Sequence, residues 1–318
     1  MVIRRVLCPV DFSEPSRRAL HHAVAVAGRY DCELHVLHVI QDVMPAAIAW
    51  HAHPSPRSLT EVRHLTWNVF DEFVAPTQAR PVMTQMVREG RPYCEIVDYA
   101  AEVRADLIVM ATHGATGLDR VILGSTTERV LRTAGCPVMT IPSRGDEPGS
   151  ADRARFTHVL CAVDFAPMSL HALDYGLSLA KEDRLRTTVL HVIELPMDEE
   201  SFGQGSLPLS RFIEHERHQA LERLAHAIGP DARAWCQPVE TVRTGRPASV
   251  ILNVADRGGV DLIVMGVQGR RTFAQPFLGS TTRTVIHRAV CPVLTTRVGP
   301  AFEQASSMRT EYTHEATS

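Results

Sequence analysis

Along the chain, short apolar runs rich in β-branched residues alternate with stretches whose apolar positions recur at helical spacing. The run at 3–9, IRRVLCP, predicts a strand whose end leads to Asp11, and a helix is predicted from Ser13, where Glu14, Pro15 and Ser16 supply start signals. Strands are predicted at 33–39 and 82–88. Between them lie a Pro- and His-rich loop, MPAAIAWHAHPSPRS, and an amphipathic helix near 59–75. Gly90, Arg91 and Pro92 turn the chain into another helix, closed by Asp106. The run LIVMA at 107–111 is apolar at every position, so it must bury both faces, as a central strand of a parallel sheet does. A helix from about Ser125 and the strand PVMTI at 137–141 complete the set. Five strands separated by helices predict a doubly wound α/β domain. Its helices cover both faces of a five-stranded parallel sheet, and its ligand crevice lies at the carboxyl ends of the strands.

The whole pattern occurs twice. VLCPVDFSEPSRRALHHAVAVA at 6–27 returns as VLCAVDFAPMSLHALDYGLSLA at 159–180, an offset of 153, and LHVLHVI at 34–40 returns as TVLHVIE around His191. GRPYCEIVDYAAEVRADLIVMATHG at 90–114 returns as GRPASVILNVADRGGVDLIVMGVQG at 245–269, now offset by 155, and LGSTTERVLRTAGCPVMTI returns as LGSTTRTVIHRAVCPVLTT. One long period covering nearly everything indicates a duplicated domain rather than a solenoid of short repeats. The expected limits are residues 1–142 and 156–298 for the domains, 143–155 for a linker rich in Pro, Gly, Ser and charge, and 299–318 for a tail without periodicity.

Composition narrows the partners. A 318-residue chain with 45% hydrophobic and 22% charged residues suits two soluble domains with sizeable cores. A formal charge of -3 gives no basic field for nucleic acid or an anionic membrane, and no apolar run is long enough to span a bilayer, so a cytoplasmic protein without either partner is expected. Seven cysteines without a CxxC pair, with Cys8, Cys136, Cys161 and Cys291 in or beside apolar runs, read as reduced, packed thiols.

The candidate chemistry lies in the glycines after the fourth strand of each copy. Phosphates are held well where backbone N–H groups converge at a helix start, because those donors are otherwise unpaired and the helix dipole favours negative charge. In the second copy Gly279 precedes Ser280, Thr281 and a helical run, while Gly266 and Gly269 follow LIVM, where the backbone is expected to turn sharply under a flat or bulky ligand. Asp11 and Asp164, each at the end of a first strand, can accept hydrogen bonds from an amine or a ribose hydroxyl, or can cap the following helix.

These residues carry a resemblance. Gly266, two residues, Gly269, nine residues, then Gly279, Ser280 and Thr281 resembles the ATP-binding signature of the universal stress protein family, with the VDFS-like strand end and LHVI beside it. The match covers about 1–142 and 156–298, as in tandem members of that family. The resemblance implies two Rossmann-like domains of the adenine nucleotide alpha hydrolase type, with ATP as ligand. It would place Ala162, Val163, Asp164 and Val192 at the adenine, Met265 and Gly266 at the ribose, and Gly269, Gly279, Ser280 and Thr281 at the phosphates. In the first copy the matching positions are Pro9, Val10, Asp11, Val39, Met110, Ala111, Gly114, Gly124, Ser125 and Thr126. Ala111 departs from the pattern, and its methyl would either crowd the ribose or be tolerated there.

Plainer readings stand beside these. Gly114, Gly117 and Gly124 would serve equally as a turn and a helix entry, with Ser125 or Ser280 as an ordinary N-cap. Arg270 and Arg271 either reach a polyphosphate or are simply solvated. His215 with His218, and His51 with His53, lack a recognised metal-ligand spacing and read as ordinary imidazoles. No GxxxxGK[ST] lysine or GxSxG elbow is present, so binding without designed turnover is expected, hydrolysis being slow even if Mg²⁺ bridges phosphates near Ser280 or Ser125. The alternative class is an interaction module. PVMTIP and PVLTTR read as edge strands able to pair with each other, making the halves an internal pseudo-dimer, or with another chain in a homodimer.

Overall fold

The computed structural model describes residues 3–41, 59–77, 82–114, 123–143, 156–195, 209–268 and 277–297. The chain divides into two compact units, Met1–Arg155 with Ile286–Val293, and Phe156–Val285 with Leu294–Ser318.

The first half holds strands β1 (Arg5–Val10), β2 (Glu33–Gln41), β3 (Met83–Gly90), β4 (Leu107–Ala111) and β5 (Val138–Ile141) in the order β3-β2-β1-β4-β5. All its pairings are parallel, with β1 in register Arg5↔Glu33 through Val10↔His38 on one side and Val6↔Leu107, Leu7↔Ile108 on the other. Helices α1 (Glu14–Tyr30), α2 (Leu59–Val74), α3 (Pro92–Glu102) and α4 (Ser125–Thr133) connect them, and a single 3-10 turn, Ala75–Thr77, follows α2. The chain moves outward from β1 to β3 and then returns to the other side of β1. The loops after β1 and β4 therefore diverge and leave a crevice between them.

The second half repeats this with β6 (His158–Val163), α5 (Pro167–Asp183), β7 (Arg186–Ile193), α6 (Leu209–Cys236), β8 (Val239–Thr244), α7 (Pro247–Gly258), β9 (Leu262–Gly266), α8 (Ser280–Arg288) and β10 (Val293–Thr296). Its order is β8-β7-β6-β9-β10, with β6 parallel to β7 and β9, and β7 parallel to β8. Helix α6 is interrupted at Gly229 (φ 69°), just before Pro230.

The central strands are as apolar and buried as their sequence demands. Every residue of β4, β6 and β9 is buried, and in β1 only Arg5 is partly exposed. Helix α1 turns Ala19, Leu20, Ala23, Val26 and Ala27 inward at helical spacing and packs on β1 and β4, while α5 packs on β6 and β9. Apart from the end of α3, the element limits lie within two residues of the expected ones. Asp106, expected to close a helix, stands four residues beyond the end of α3. Its carboxylate instead accepts the N–H groups of Arg4 (2.8 Å) and Arg5 (3.0 Å), tying the start of β4 to that of β1. Asp261 does the same for Thr157 (2.7 Å) and His158 (3.0 Å).

The cysteines form no disulfide. Cys8, Cys161 and Cys291 are buried and Cys136 is half-buried. Burial pushes the Cys161 and Cys136 thiols up to about 12, so they are protonated packing groups.

Candidate functional site

The crevice of the first half begins at Asp11, one residue past β1. Its Oδ1 accepts the N–H of Ser13 (3.1 Å) and also the Ser13 hydroxyl. This is a turn at the helix entry rather than the helix cap itself. The N-cap of α1 is Ser13, whose hydroxyl accepts the N–H of Ser16 at 3.3 Å. The Ser16 hydroxyl donates to the Ser13 carbonyl (2.9 Å) and accepts the Asp11 N–H (3.4 Å). In the second half the Ser169 hydroxyl makes the same two bonds, to the Ala166 carbonyl (3.0 Å) and from the Asp164 N–H (3.2 Å), and Asp164 Oδ1 accepts the Ala166 N–H at 3.0 Å.

The opposite wall is the loop after the fourth strand and the helix that follows. The Gly124 N–H donates to the Thr112 carbonyl (2.9 Å), and the Thr127 hydroxyl donates to the Ala111 carbonyl (3.0 Å). Their counterparts are Gly279 to Val267 (3.0 Å) and Thr282 to Gly266 (2.9 Å). Two different loops thus hold the same skeleton. Gly124 is the N-cap of α4, and no side chain caps that helix. Ser125 and Ser280 are therefore first helical residues rather than N-caps, with exposed side chains, and Thr126 and Thr281 follow them half-buried. A helix start without a side-chain cap, backed by a glycine, turns its first N–H groups toward an incoming anion.

The two walls meet at Gly114. A Cβ built there would stand 2.4 Å from Asp11 Oδ2, so only glycine lets the carboxylate reach the loop. At Gly124 a Cβ would lie 3.2 Å from the Thr112 carbonyl oxygen, and at Gly279 3.4 Å from that of Val267. Gly269, Gly117, Arg270, Arg271, His51 and His53 lie outside the described residues, as do positions 144–155 of the expected linker and the tail from 299.

Gly266 plays a different part from the one its place in the glycine pattern suggested. It is the last residue of β9, without the positive φ of a sharp turn, and its open side faces helix α5. A Cβ there would stand 2.9 Å from the Met168 carbonyl carbon and from the Ser169 nitrogen. Its lack of a side chain serves helix–strand packing. Ala111, its counterpart, is buried at the end of β4, as are Met110 and Met265 one residue earlier in each half.

At the base end, Pro9, Val10, Ala162 and Val163 are buried strand residues, while Val39 and Val192 are half-buried on the neighbouring strands. The structure adds a pair of rings that the sequence reading passed over. The Nδ1 of His38 donates to the Val10 carbonyl, and that of His191 to the Val163 carbonyl, at 2.8 Å in each half. Phe12 (φ 63°) stacks on His38 at 4.1 Å, and Phe165 (φ 64°) lies against His191 at 4.6 Å with the rings tilted by 40°. Burial lowers the pKa of His38, keeping it neutral and its tautomer set by that carbonyl. The signal was present, since VDF and LHV recur in both copies. In the first half Thr112, His113 and Ser143 also gather beside the loop, with the Thr112 hydroxyl 2.9 Å from His113 Nδ1.

His215 and His218 lie on α6, near Gln219 (2.9 Å) and Glu222 (3.2 Å) respectively. Among the described residues no group of three or more His, Cys, Asp or Glu gathers to hold a metal ion, and no helix is long and apolar enough to cross a membrane.

Comparison with known proteins places the chain. The family model described as the universal stress protein family matches residues 3–142 and 155–297. A universal stress protein of Mycolicibacterium smegmatis is 26% identical over 307 residues, 92% of this chain and 96% of that one. One of Methanocaldococcus jannaschii is 34% identical over 151 residues, 43% of this chain and 81% of its own length. The crystal structure of a universal stress protein from Archaeoglobus fulgidus has the same fold, with a TM-score of 0.61 at 20% identity, covering 93% of this chain and 97% of that one.

Proposed function

We propose, for a chain that belongs to the universal stress protein family, that each half holds one adenine nucleotide at the carboxyl ends of its strands. In this reading the protein is a cytoplasmic, nucleotide-dependent regulator of a stress response that binds ATP without a dedicated turnover machinery. The observation that carries the reading is the start of α4, where glycine is the N-cap, no side chain caps the helix, and Ser125 stands exposed in the first turn. Backbone donors and a helix dipole converge there, as an anion requires. The same hydrogen-bonded skeleton at Gly279 and Thr282 supports a second site.

The phosphates would lie against Gly114, Gly124, Ser125 and Thr126 in one half, and Gly269, Gly279, Ser280 and Thr281 in the other. The base would lie between Val39 or Val192 and the strand ends at Pro9, Val10 and Asp11 or Ala162, Val163 and Asp164. Met110, Ala111, Met265 and Gly266 would offer backbone at the ribose, their side chains being buried or absent. A Mg²⁺ accompanying ATP would be held by the phosphates and the Ser125 or Ser280 hydroxyl, and would neutralise phosphate charge. The domain limits we propose are 1–142 and 156–298, around a linker at 143–155 and before a tail at 299–318. Internal pairing of the halves through their last strands, and a homodimer of whole chains, belong to the same reading.

Denaturing the purified protein and counting the adenine nucleotide released, before and after loading with ATP, tests this directly. One nucleotide per half is expected, and Gly279→Glu, which puts a carboxylate at the start of α8, should remove the one in the second half. No nucleotide before or after loading would leave the interaction module in its place. Mg²⁺-dependent phosphate release abolished by Ser280→Ala would replace binding by slow hydrolysis.

A further inference from the structure

In the first half the loop after β4 opens Thr112-His113-Gly114, and the backbone of His113 lies beside both glycines of the crevice wall. It is bonded directly to Gly114, which abuts Asp11, and a Cβ built on Gly124 would stand 3.5 Å from the His113 Cα. Whatever holds the His113 ring therefore sets where both glycines lie. Hydroxyls meet it at Nδ1, which is 2.9 Å from Thr112 Oγ1 and 3.3 Å from Ser143 Oγ. The Ser143 carbonyl in turn accepts Arg18 Nη1 of α1 at 3.1 Å. A further contact is the ring of His287, edge to face, with 6.1 Å between centroids and 70° between planes.

His287 stands in the last turn of α8, in the second repeat, yet Ile286–Val293 belongs to the first compact unit together with His113. Its Nε2 is buried and makes no hydrogen bond among the described residues. That ring edge thus meets its surroundings through shape and the aromatic quadrupole rather than through a shared proton. In the second half the positions of Thr112 and His113 belong to Val267 and Gln268, which bring neither a hydroxyl nor a ring.

We propose that His287 is a positioning residue for the first nucleotide site. Its ring holds His113, and through His113 the wall formed by Gly114 and Gly124, so a residue from the second repeat completes the crevice of the first. The inference rests on the nucleotide reading above, and in it His287 touches no ligand. A loop that leaves its binding position part of the time lowers the apparent affinity by the fraction lost. Losing one edge-to-face pair of rings shifts such an equilibrium about fivefold.

Calorimetric titration with ATP in two full-length backgrounds tests the proposal. Gly279→Glu retains the nucleotide of the first half, and Gly124→Glu retains that of the second. His287→Ala should weaken ATP about fivefold in the Gly279→Glu chain and leave the affinity of the Gly124→Glu chain unchanged. His287→Phe, which keeps a ring at that place but no ring nitrogen, should restore the parent affinity of the first site. The second-half nucleotide sits at the start of α8, so its unchanged binding also reports that His287→Ala leaves the chain folded and that helix intact. An equal loss in both backgrounds overturns the proposal, because it marks a general loosening of the fold. So does an unchanged first site, or a phenylalanine variant as weak as the alanine one. A Gly279→Glu chain that takes up no ATP overturns the proposal and leaves a site in the second half, and a wild-type chain that takes up none overturns the nucleotide reading as well.

Discussion

Helices α1 and α5 cover corresponding strands of the two halves, yet they dock by opposite means. On α5, Gly176 lies so close to β6 that a Cβ would stand 2.4 Å from Cys161 Sγ, and Gly266 on β9 admits the backbone of Met168 and Ser169. The corresponding positions of the first half are alanines, Ala23 and Ala111, both buried. The second half thus gives up two methyl groups for closeness, one at the start of α5 and one at its middle, and the first keeps them and adds the Ser13 cap. On the other flank, Phe12 meets Phe70 (5.8 Å) and Phe73 (5.5 Å), whereas Phe165 lies under the Arg223 guanidinium at 3.9 Å. Duplicated domains can keep one hydrogen-bonded skeleton around a crevice while the packing behind it diverges.

The most forceful way to break this comparison is to exchange a methyl across it. Gly266→Ala puts a Cβ within 3.0 Å of helix backbone, which cannot swing aside as a side chain can. We expect a loss of about 3 kcal/mol in urea unfolding, while Ala111→Gly in the first half costs about 1 kcal/mol. If the two substitutions cost the same, the helices dock alike and the comparison fails.

Acid separates the halves by a smaller amount. His22 on α1, whose counterpart on α5 is Tyr175, is pushed down to about 4 by burial and by the neighbouring His21. Above its ordinary pKa of 6.5 the imidazole is neutral folded or unfolded and contributes nothing. Below that value the unfolded chain takes up a proton first, so stability falls until the folded protein also protonates near pH 4. By pH 5 the loss is about 2 kcal/mol. Unfolding at pH 7 and pH 5 should show it, and His22→Gln should reduce the difference by about that amount.

Finally, Arg223→Met keeps most of the apolar stem but removes the cation over Phe165, at an expected cost of about 1 kcal/mol. Thermal unfolding that does not respond would show the guanidinium contact to be incidental.

Much of the fold is legible in the sequence for definite reasons. LIVMA and LIVMG bury both faces and so must be central strands, and Pro15, Pro92 and Pro247 stand in first helical turns where a missing N–H costs nothing. The local backbone of the candidate site was legible, as at the helix starts behind Gly124 and Gly279, because a helix start exposes its donors wherever it lies. It was not legible at Gly266, since the atoms that require glycine there belong to Met168 and Ser169, about 100 residues earlier in the chain. Asp106 likewise looked like a helix boundary, and the N–H groups it holds, those of Arg4 and Arg5, lie about as far away in sequence.

Hydrophobic period, turn residues and the doubled pattern are properties of neighbours in the chain, so the sequence by itself determined the strand-helix alternation, the duplication and the place of the crevice. Packing distance and the sharing of lone pairs are properties of groups that meet only after folding. The tertiary structure alone decided that Gly266 serves a helix, that Phe12 and Phe165 lie against His38 and His191, and that the Ser13 hydroxyl donates to Asp11.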